Sequence, residues 1–202
     1  MSNNQKDKIT ILQYRTDRTE EHEIECFQKE FSQPNLDLNF INAVREDINL
    51  EILEDSSGLI IGGSTEFNLT AGHEANSWLE STNHFISKAL NQGLPTLGIC
   101  FGFQLLAIHQ GGKLVNDSKY YETGSYEISL SQSADDCKIF SQLPDTFIAQ
   151  LGHKDTLTKL PENSYSLAKS EVVPHQAFRL KEKPVWGVLF HPELNQVTAK
   201  ER

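Results

Sequence analysis

The chain has 202 residues, 38% hydrophobic and 23% charged, with a formal net charge of −10; that length holds one sizeable core, and a single domain over residues 1–202 is expected. No stretch reaches the roughly 18 uncharged apolar residues of a membrane helix, the excess of carboxylates repels a phosphate backbone, and "MSNNQKDKIT" lacks the apolar segment of a secretory signal. Membrane and nucleic-acid partners are therefore set aside, and a cytoplasmic location is expected.

The first predicted element, "KITILQY" (8–14), is a short β-rich run. "DRTEEHEIECFQKEF" (17–31) places Ile24, Phe27 and Phe31 at helical spacing, and its many carboxylates read as a solvated helix face. "LDLNFI" (36–41) alternates like a strand, and "GLIIGG" (58–63) is a continuous apolar run of the kind buried on both faces of a sheet. "ANSWLESTNHFISKALNQG" (75–93) reads as a helix with Trp78, Leu79, Phe85, Ile86 and Leu90 on one side and Gly93 as its C-cap. The strand "LPTLGI" (94–99) and the helix "FGFQLLAIHQ" (101–110) follow. Strands alternating with helices predict an α/β doubly wound, mostly parallel sheet covered on both faces. Beyond Gly112 the segments "KLV", "YEISLS" (126–131), "TFIAQL" (146–151), "SYSLAKS" (164–170) and "VWGVLF" (185–190) are β-rich, so antiparallel strands extend or flank that core.

Three cysteines, Cys26, Cys100 and Cys137, form no paired spacing and no CxxC, which argues against a disulfide framework and a structural zinc site. Cys26 and Cys137 lack glycine punctuation and are assigned to structure or surface. Cys100 differs. Gly98-Ile99-Cys100-Phe101-Gly102 has the form glycine-x-nucleophile-x-glycine at a predicted strand-to-helix junction. The glycines leave room for a sharp turn that lifts the sulfur out of the sheet. The helix N-terminus favours the thiolate, and the Phe101 N–H points at an oxyanion formed above the sulfur. Burial as a small hydrophobe is the alternative reading.

A nucleophilic thiol needs a base. "VWGVLFHPE" runs a predicted strand into His191-Pro192-Glu193, where His191 can reach the crevice at the sheet's edge and Glu193 can orient the imidazole; a polar surface turn is the alternative. Gly62-Gly63 ends another apolar strand, and glycines there let a loop aim N–H groups at a substrate. A phosphate loop is the rival reading, but the lysine and spacing of a P-loop are absent.

These pieces, in this order, resemble the class I glutamine amidotransferases, which share a Gly-Gly loop, a G-x-C-x-G-x-Q elbow and a C-terminal His-Pro-Glu. Here they are Gly62-Gly63, Gly98 to Gln104, and His191-Pro192-Glu193. The segments at 152–170 and 175–179 look closest to the glutaminase domain of GMP synthase and its stand-alone relatives. The resemblance implies a flavodoxin-like fold and hydrolysis of the glutamine side-chain amide. Cys100, His191 and Glu193 would be catalytic, with oxyanion N–H groups from Gly63 and Phe101. Gln104 and Glu122 would contact substrate. Ser64 follows the glycine pair where relatives often carry proline, and Phe101 replaces a common leucine; a backbone donor tolerates both. Only nine residues follow Glu193, where relatives continue into a closing helix, so that helix is expected to be cut short.

No cofactor is expected. His153 and Asp155, even with His175, lack a third close ligand, so no metal site is assigned. Without a P-loop or second domain to activate an acceptor, the resemblance leaves three options open. A separate synthetase subunit receives the ammonia, or the protein hydrolyses γ-glutamyl peptides alone, or it is a silent regulator on the same scaffold. Another cysteine-elbow branch of flavodoxin-like folds is a further rival, but it should lack the distal His-Pro-Glu.

Overall fold

A computed structural model describes residues 6–71 and 77–202. Five parallel strands form one side of a nine-stranded sheet: β1 (Asp7–Gln13), β2 (Leu36–Asn42), β3 (Gly58–Ile61), β4 (Thr96–Ile99) and β11 (Val185–Val188). Their order is β2-β1-β3-β4-β11, the 2-1-3-4-5 arrangement of flavodoxin-like sheets, and the strand order reverses between β1 and β3. The apolar runs seen in the sequence are needed because these strands are covered on both faces. Ile11, Ile60 and Ile99 point into one core, and Leu12, Leu59 and Ile61 into the other. Each such fully buried side chain contributes roughly 1.5–3 kcal/mol.

The helices divide between the two faces. α1 (Thr19–Glu30) inserts Phe27 into the first core, whereas α2 (Ser77–Asn91) and α3 (Phe101–His109) bring Phe85, Ile86, Phe103 and Leu106 to the second. The expected start of the second helix at 75 and 76 lies outside the described residues. Gly93 stands at φ 70° and its N–H donates to the Leu90 carbonyl at 3.3 Å, the C-cap role expected of it. Among the described residues no helix is long and apolar enough to cross a membrane.

Antiparallel strands extend the sheet beyond β11 in the order β10 (Ala177–Leu180), β9 (Ser164–Lys169), β6 (Glu122–Leu130) and β7 (Thr146–His153). β5 (Lys113–Asn116) and β8 (Asp155–Lys159) form a separate antiparallel pair, so the C-terminal half both extends and flanks the parallel core. β8 and β10 are additions to the elements read from the sequence. A single short helix, α4 (Thr198–Glu201), follows the His-Pro-Glu turn.

One expectation needs correcting. The carboxylates of α1 are not all solvated, because Glu23 is fully buried. It lies one turn from Thr19 and from Phe27, on the buried stripe of the helix.

Candidate active site

Neighbouring parallel strands deliver their polar residues to one edge of the sheet. Arg15 lies two residues beyond β1, Gly62-Gly63 follow β3 directly, Cys100 follows β4, and His191 lies three residues beyond β11. This is the crevice outside the carboxyl ends of the strands, where open α/β sheets hold ligands. Cys100 has φ 50° and ψ −100°, and among the described residues it alone combines a side chain with a positive φ. Such a conformation costs about 1–3 kcal/mol and persists only where the surroundings over-determine it. Here they do. The Cys100 N–H donates to the Val188 carbonyl at 2.8 Å, and the Gly102 N–H to the Gly62 carbonyl at 3.1 Å. Both elbow glycines are sterically required: a Cβ on Gly98 would strike the Gly102 carbonyl, and one on Gly102 would strike the carbonyl of Ile61.

Cys100, His191 and Glu193 come together. The buried imidazole lies within hydrogen-bonding reach of Cys100 Sγ. Its Nδ1 stands 2.7 Å from Glu193 Oε1, which fixes the ring and leaves Nε2 for the sulfur. Burial pulls the proton affinity of His191 down. The Glu193 carboxylate and the Cys100 sulfur oppose that more strongly, and the pKa is pushed up to about 9. For Glu193 the order reverses: burial raises the pKa, but His191 and Arg202 bring it down to about 2. The pair is held in its ionised form.

Behind this pair lies a charge network that the sequence did not suggest. Arg202 Nη1 donates to Glu193 Oε1 at 2.8 Å, and Arg202 Nη2 lies 3.6 Å from Glu23 Oε1. Arg15 Nε donates to the same Glu23 oxygen at 2.8 Å, and Gln13 Nε2 donates to Oε2 at 3.1 Å. The Arg15 guanidinium, 1% exposed, is kept charged: burial lowers its pKa, but Glu23 outweighs that and the net shift is upward. The sequence held one clue to Glu23, its place on the buried stripe of α1. For Arg15 the clue was a charged residue directly after a buried strand; Arg202 offered none.

Gly63 packs against this centre, since a Cβ added there would lie 3.0 Å from His191 Cε1 and 2.8 Å from Arg15 Nη2. The N–H groups of Gly63 and Phe101 have no acceptor among the described residues. They flank the thiol as two open donors. Gln104 shares a cavity of ≈170 Å³ with Cys100 and Phe101, and its Nε2 donates to the Asp155 carbonyl at 3.1 Å. A second cavity, ≈420 Å³, lies on the His191 side and meets the first at Ser64, Thr65 and the Gly152–Lys154 turn.

Glu122 sits behind the cavity wall rather than in it. Its carboxylate accepts from Ser170 Oγ at 2.6 Å and Gln176 Nε2 at 2.5 Å, and lies 2.9 Å from His153 Nε2. The residue is thus separated from the cavity by His153, whose side chain is itself fully buried. Asp155 is also occupied structurally, accepting from Thr70 Oγ1 at 2.6 Å and Asn116 Nδ2 at 2.8 Å. His175 pairs with Ser166 Oγ at 3.1 Å. His153, Asp155 and His175 are therefore directed to separate partners. Cys26 and Cys137 are both buried, Cys137 in the core on the α1 face, and neither lines the two cavities at the thiol.

The arrangement agrees with the relationships of the chain. A GMP synthase (glutamine-hydrolyzing) subunit from Methanocaldococcus jannaschii is 32% identical over 145 residues, 72% of this chain and 69% of that protein. The corresponding GMP synthase subunit from Methanococcus vannielii is 34% identical over 155 residues, 75% of this chain and 74% of that one. A glutamine amidotransferase from Thermotoga maritima superposes with a TM-score of 0.79 over 96% of this chain and 79% of its own at 24% identity, a likeness of fold. Residues 9–202 match the family model described as Glutamine amidotransferase class-I, a span that runs from β1 through the elbow to the His-Pro-Glu turn, and the chain belongs to that family.

Proposed function

We propose that this protein hydrolyses the side-chain amide of glutamine through a γ-glutamyl thioester on Cys100. The observation that carries the reading is the buried imidazole of His191, held by Glu193 on one side and facing the strained Cys100 on the other. The sulfur attacks the amide carbon, and the oxyanion is received by the N–H groups of Gly63 and Phe101. Collapse breaks the C–N bond as His191 gives its proton to the departing nitrogen. Water, deprotonated by the same imidazole, then cleaves the C–S bond and releases glutamate. Gln104 orients the glutamyl chain in the smaller cavity. The two archaeal relatives, each named as one subunit of a GMP synthase, support a further step, delivery of the ammonia to a separate synthetase subunit.

The test is glutamate release from glutamine by the wild type and by Cys100→Ala, with mass spectrometry of the site labelled by a glutamine-like chloroketone. Cys100→Ala is expected to lose all measurable turnover, and the label to fall on Cys100 rather than Cys26 or Cys137. Equal turnover by the variant refutes the thioester.

A further inference from the structure

The Glu193 carboxylate is held by two groups from different parts of the chain. His191 Nδ1 lies 2.7 Å from its Oε1, and Arg202 Nη1 donates to the same oxygen at 2.8 Å. His191 and Glu193 share one short turn, so among the described residues Arg202 is the hydrogen-bond partner from outside it, while Oε2 is buried with none. A carboxylate tied through the imidazole alone is free to rotate about its terminal torsion, which is broad for glutamate. A second donor on a separate element removes that freedom. Arg202 arrives there because α4 lies against α1: Glu201 Oε2 stands 3.7 Å from His22 Nε2, and Thr198 reaches Cys26.

The arginine is otherwise poorly satisfied. Its side chain is nine-tenths buried, its Nε and Nη2 have no hydrogen-bond acceptor, and Nη2 is left with Glu23 Oε1 at 3.6 Å. Glu23 is already occupied by Arg15 Nε and Gln13 Nε2. Buried donors without acceptors destabilise a fold, so stability does not account for a guanidinium in this place. The well-formed bond that Arg202 does make goes to the residue that orients His191.

Charges reach the His191 ring from several elements. The Cys100 sulfur, at the start of α3, and Glu193 both favour the imidazolium. Arg202 Nη1 lies 3.2 Å from His191 Nδ1, and Arg15 Nη2 and His191 Cε1 both border Gly63, so two cations oppose it. The turn bearing Lys154 and His153, the latter paired with Glu122, borders the same cavity. Once a thioester forms, the sulfur no longer carries charge. From then on Glu193 alone favours the imidazolium, and a free imidazole is what the second half of the reaction needs, because His191 must take a proton from water.

We propose that Arg202 is a positioning residue for this chemistry: from α4 it fixes the Glu193 carboxylate against His191 and offsets its charge, so that the imidazole gives up and regains its proton in each turnover. The assignment rests on the thioester reading above. It also makes the docking of α4 on α1 a condition for full activity, although α4 itself supplies no group to the thiol.

The experiment measures kcat and KM for glutamate release from glutamine against pH in the wild type, Arg202→Met, Arg202→Gln and Arg202→Lys, with Cys100→Ala as the blank and circular dichroism to verify folding. Met and Gln both remove the charge, one keeping bulk and the other a donor; Lys keeps the charge. Loss of a charge this close moves a neighbouring titration by about one pH unit or more. The acid limb of kcat is therefore expected about one pH unit higher in Arg202→Met and Arg202→Gln, with kcat on that limb about tenfold lower, a smaller fall on the plateau and KM within about twofold of the wild type. Arg202→Lys is expected to bring the limb most of the way back. An acid limb left at its wild-type pH in the two neutral variants, whatever the height of the profile, overturns the proposal, as does a limb displaced equally in Arg202→Lys; Cys100-dependent turnover then leaves the thioester standing. No Cys100-dependent glutamate from the wild type overturns both.

Discussion

Replacing Gly102 by alanine tests how tightly the elbow is built. The added Cβ would lie 2.7 Å from the Ile61 carbonyl carbon and 2.9 Å from Ile61 Cβ, with the Ile61 oxygen closer still, whereas ordinary contact begins at 3.4 Å. None of these atoms is the end of a flexible side chain. β3 is paired on both sides, so Ile61 cannot retreat, and α3 must move instead by roughly 1 Å or more to clear the Ile61 oxygen. Overpacking of this kind costs about 1–3 kcal/mol, and for a domain of this size each kcal/mol lowers Tm by about 2–4 °C. The variant therefore folds, with Tm lower by about 2–12 °C. The larger effect is on rate, because the shift carries Cys100 and the Phe101 N–H with it, and a displacement near 1 Å costs roughly 10²-fold. Thermal melts by circular dichroism and glutamate-release kinetics at 25 °C measure both quantities. A Gly102→Ala variant with wild-type Tm and kcat refutes the claim that helix and strand are in forced contact there.

Two further outcomes follow from the charges. His191 has its pKa raised to about 9 against an ordinary 6.5, so its imidazolium adds stability that is complete below about pH 6.5 and is lost as pH rises through 9. Glu193, lowered to about 2, adds stability that is present above about pH 4.5 and is lost as pH falls through 2. Melting curves of Glu193→Gln are expected to flatten between pH 6.5 and 9 relative to the wild type; an unchanged slope argues against the pairing. Glu23→Gln leaves the buried Arg15 without its carboxylate and removes one contact of Arg202. Breaking a buried pair costs about 3–5 kcal/mol, or on the order of 10 °C in Tm, and a loss below about 2 °C means that solvent reaches the pair.

The parallel core was legible because its strands are short apolar runs bounded by glycine and polar turns, a pattern set by burial on both faces. The elbow was legible for a related reason. Gly98, Cys100 and Gly102 are near neighbours in sequence, so one turn of backbone contains the whole steric problem. β8 and β10 escaped notice because "DTLTK" and "AFRL" mix polar residues into runs too short for alternation to stand out, unlike the continuous apolar runs of the parallel core. Glu23 was misread because acidic residues surround it in sequence, and its partners Arg15 and Arg202 come from just after β1 and from beyond α4. Periodicity assigns a residue to a helix face; it does not say which side chain waits opposite. Glu122 shows the same limit in reverse, since its strand borders the crevice while Ser170 and Gln176, distant in sequence, hold its carboxylate behind the wall.

The placement of β11 also bears on when the thiol becomes reactive during folding. β1, β3 and β4 all lie in the first hundred residues and can pair as that half of the chain collapses. β11 pairs with β4 across about 90 residues of intervening chain, Val188 against Ile99, the kind of contact whose loop-closure entropy delays it. Until that strand docks, the Cys100 N–H has no Val188 carbonyl to hold the elbow and the sulfur has no imidazole. On the proposed thioester reading, a nascent or partly unfolded chain thus carries an ordinary cysteine, and the nucleophile is assembled only when the last long-range strand of the sheet docks.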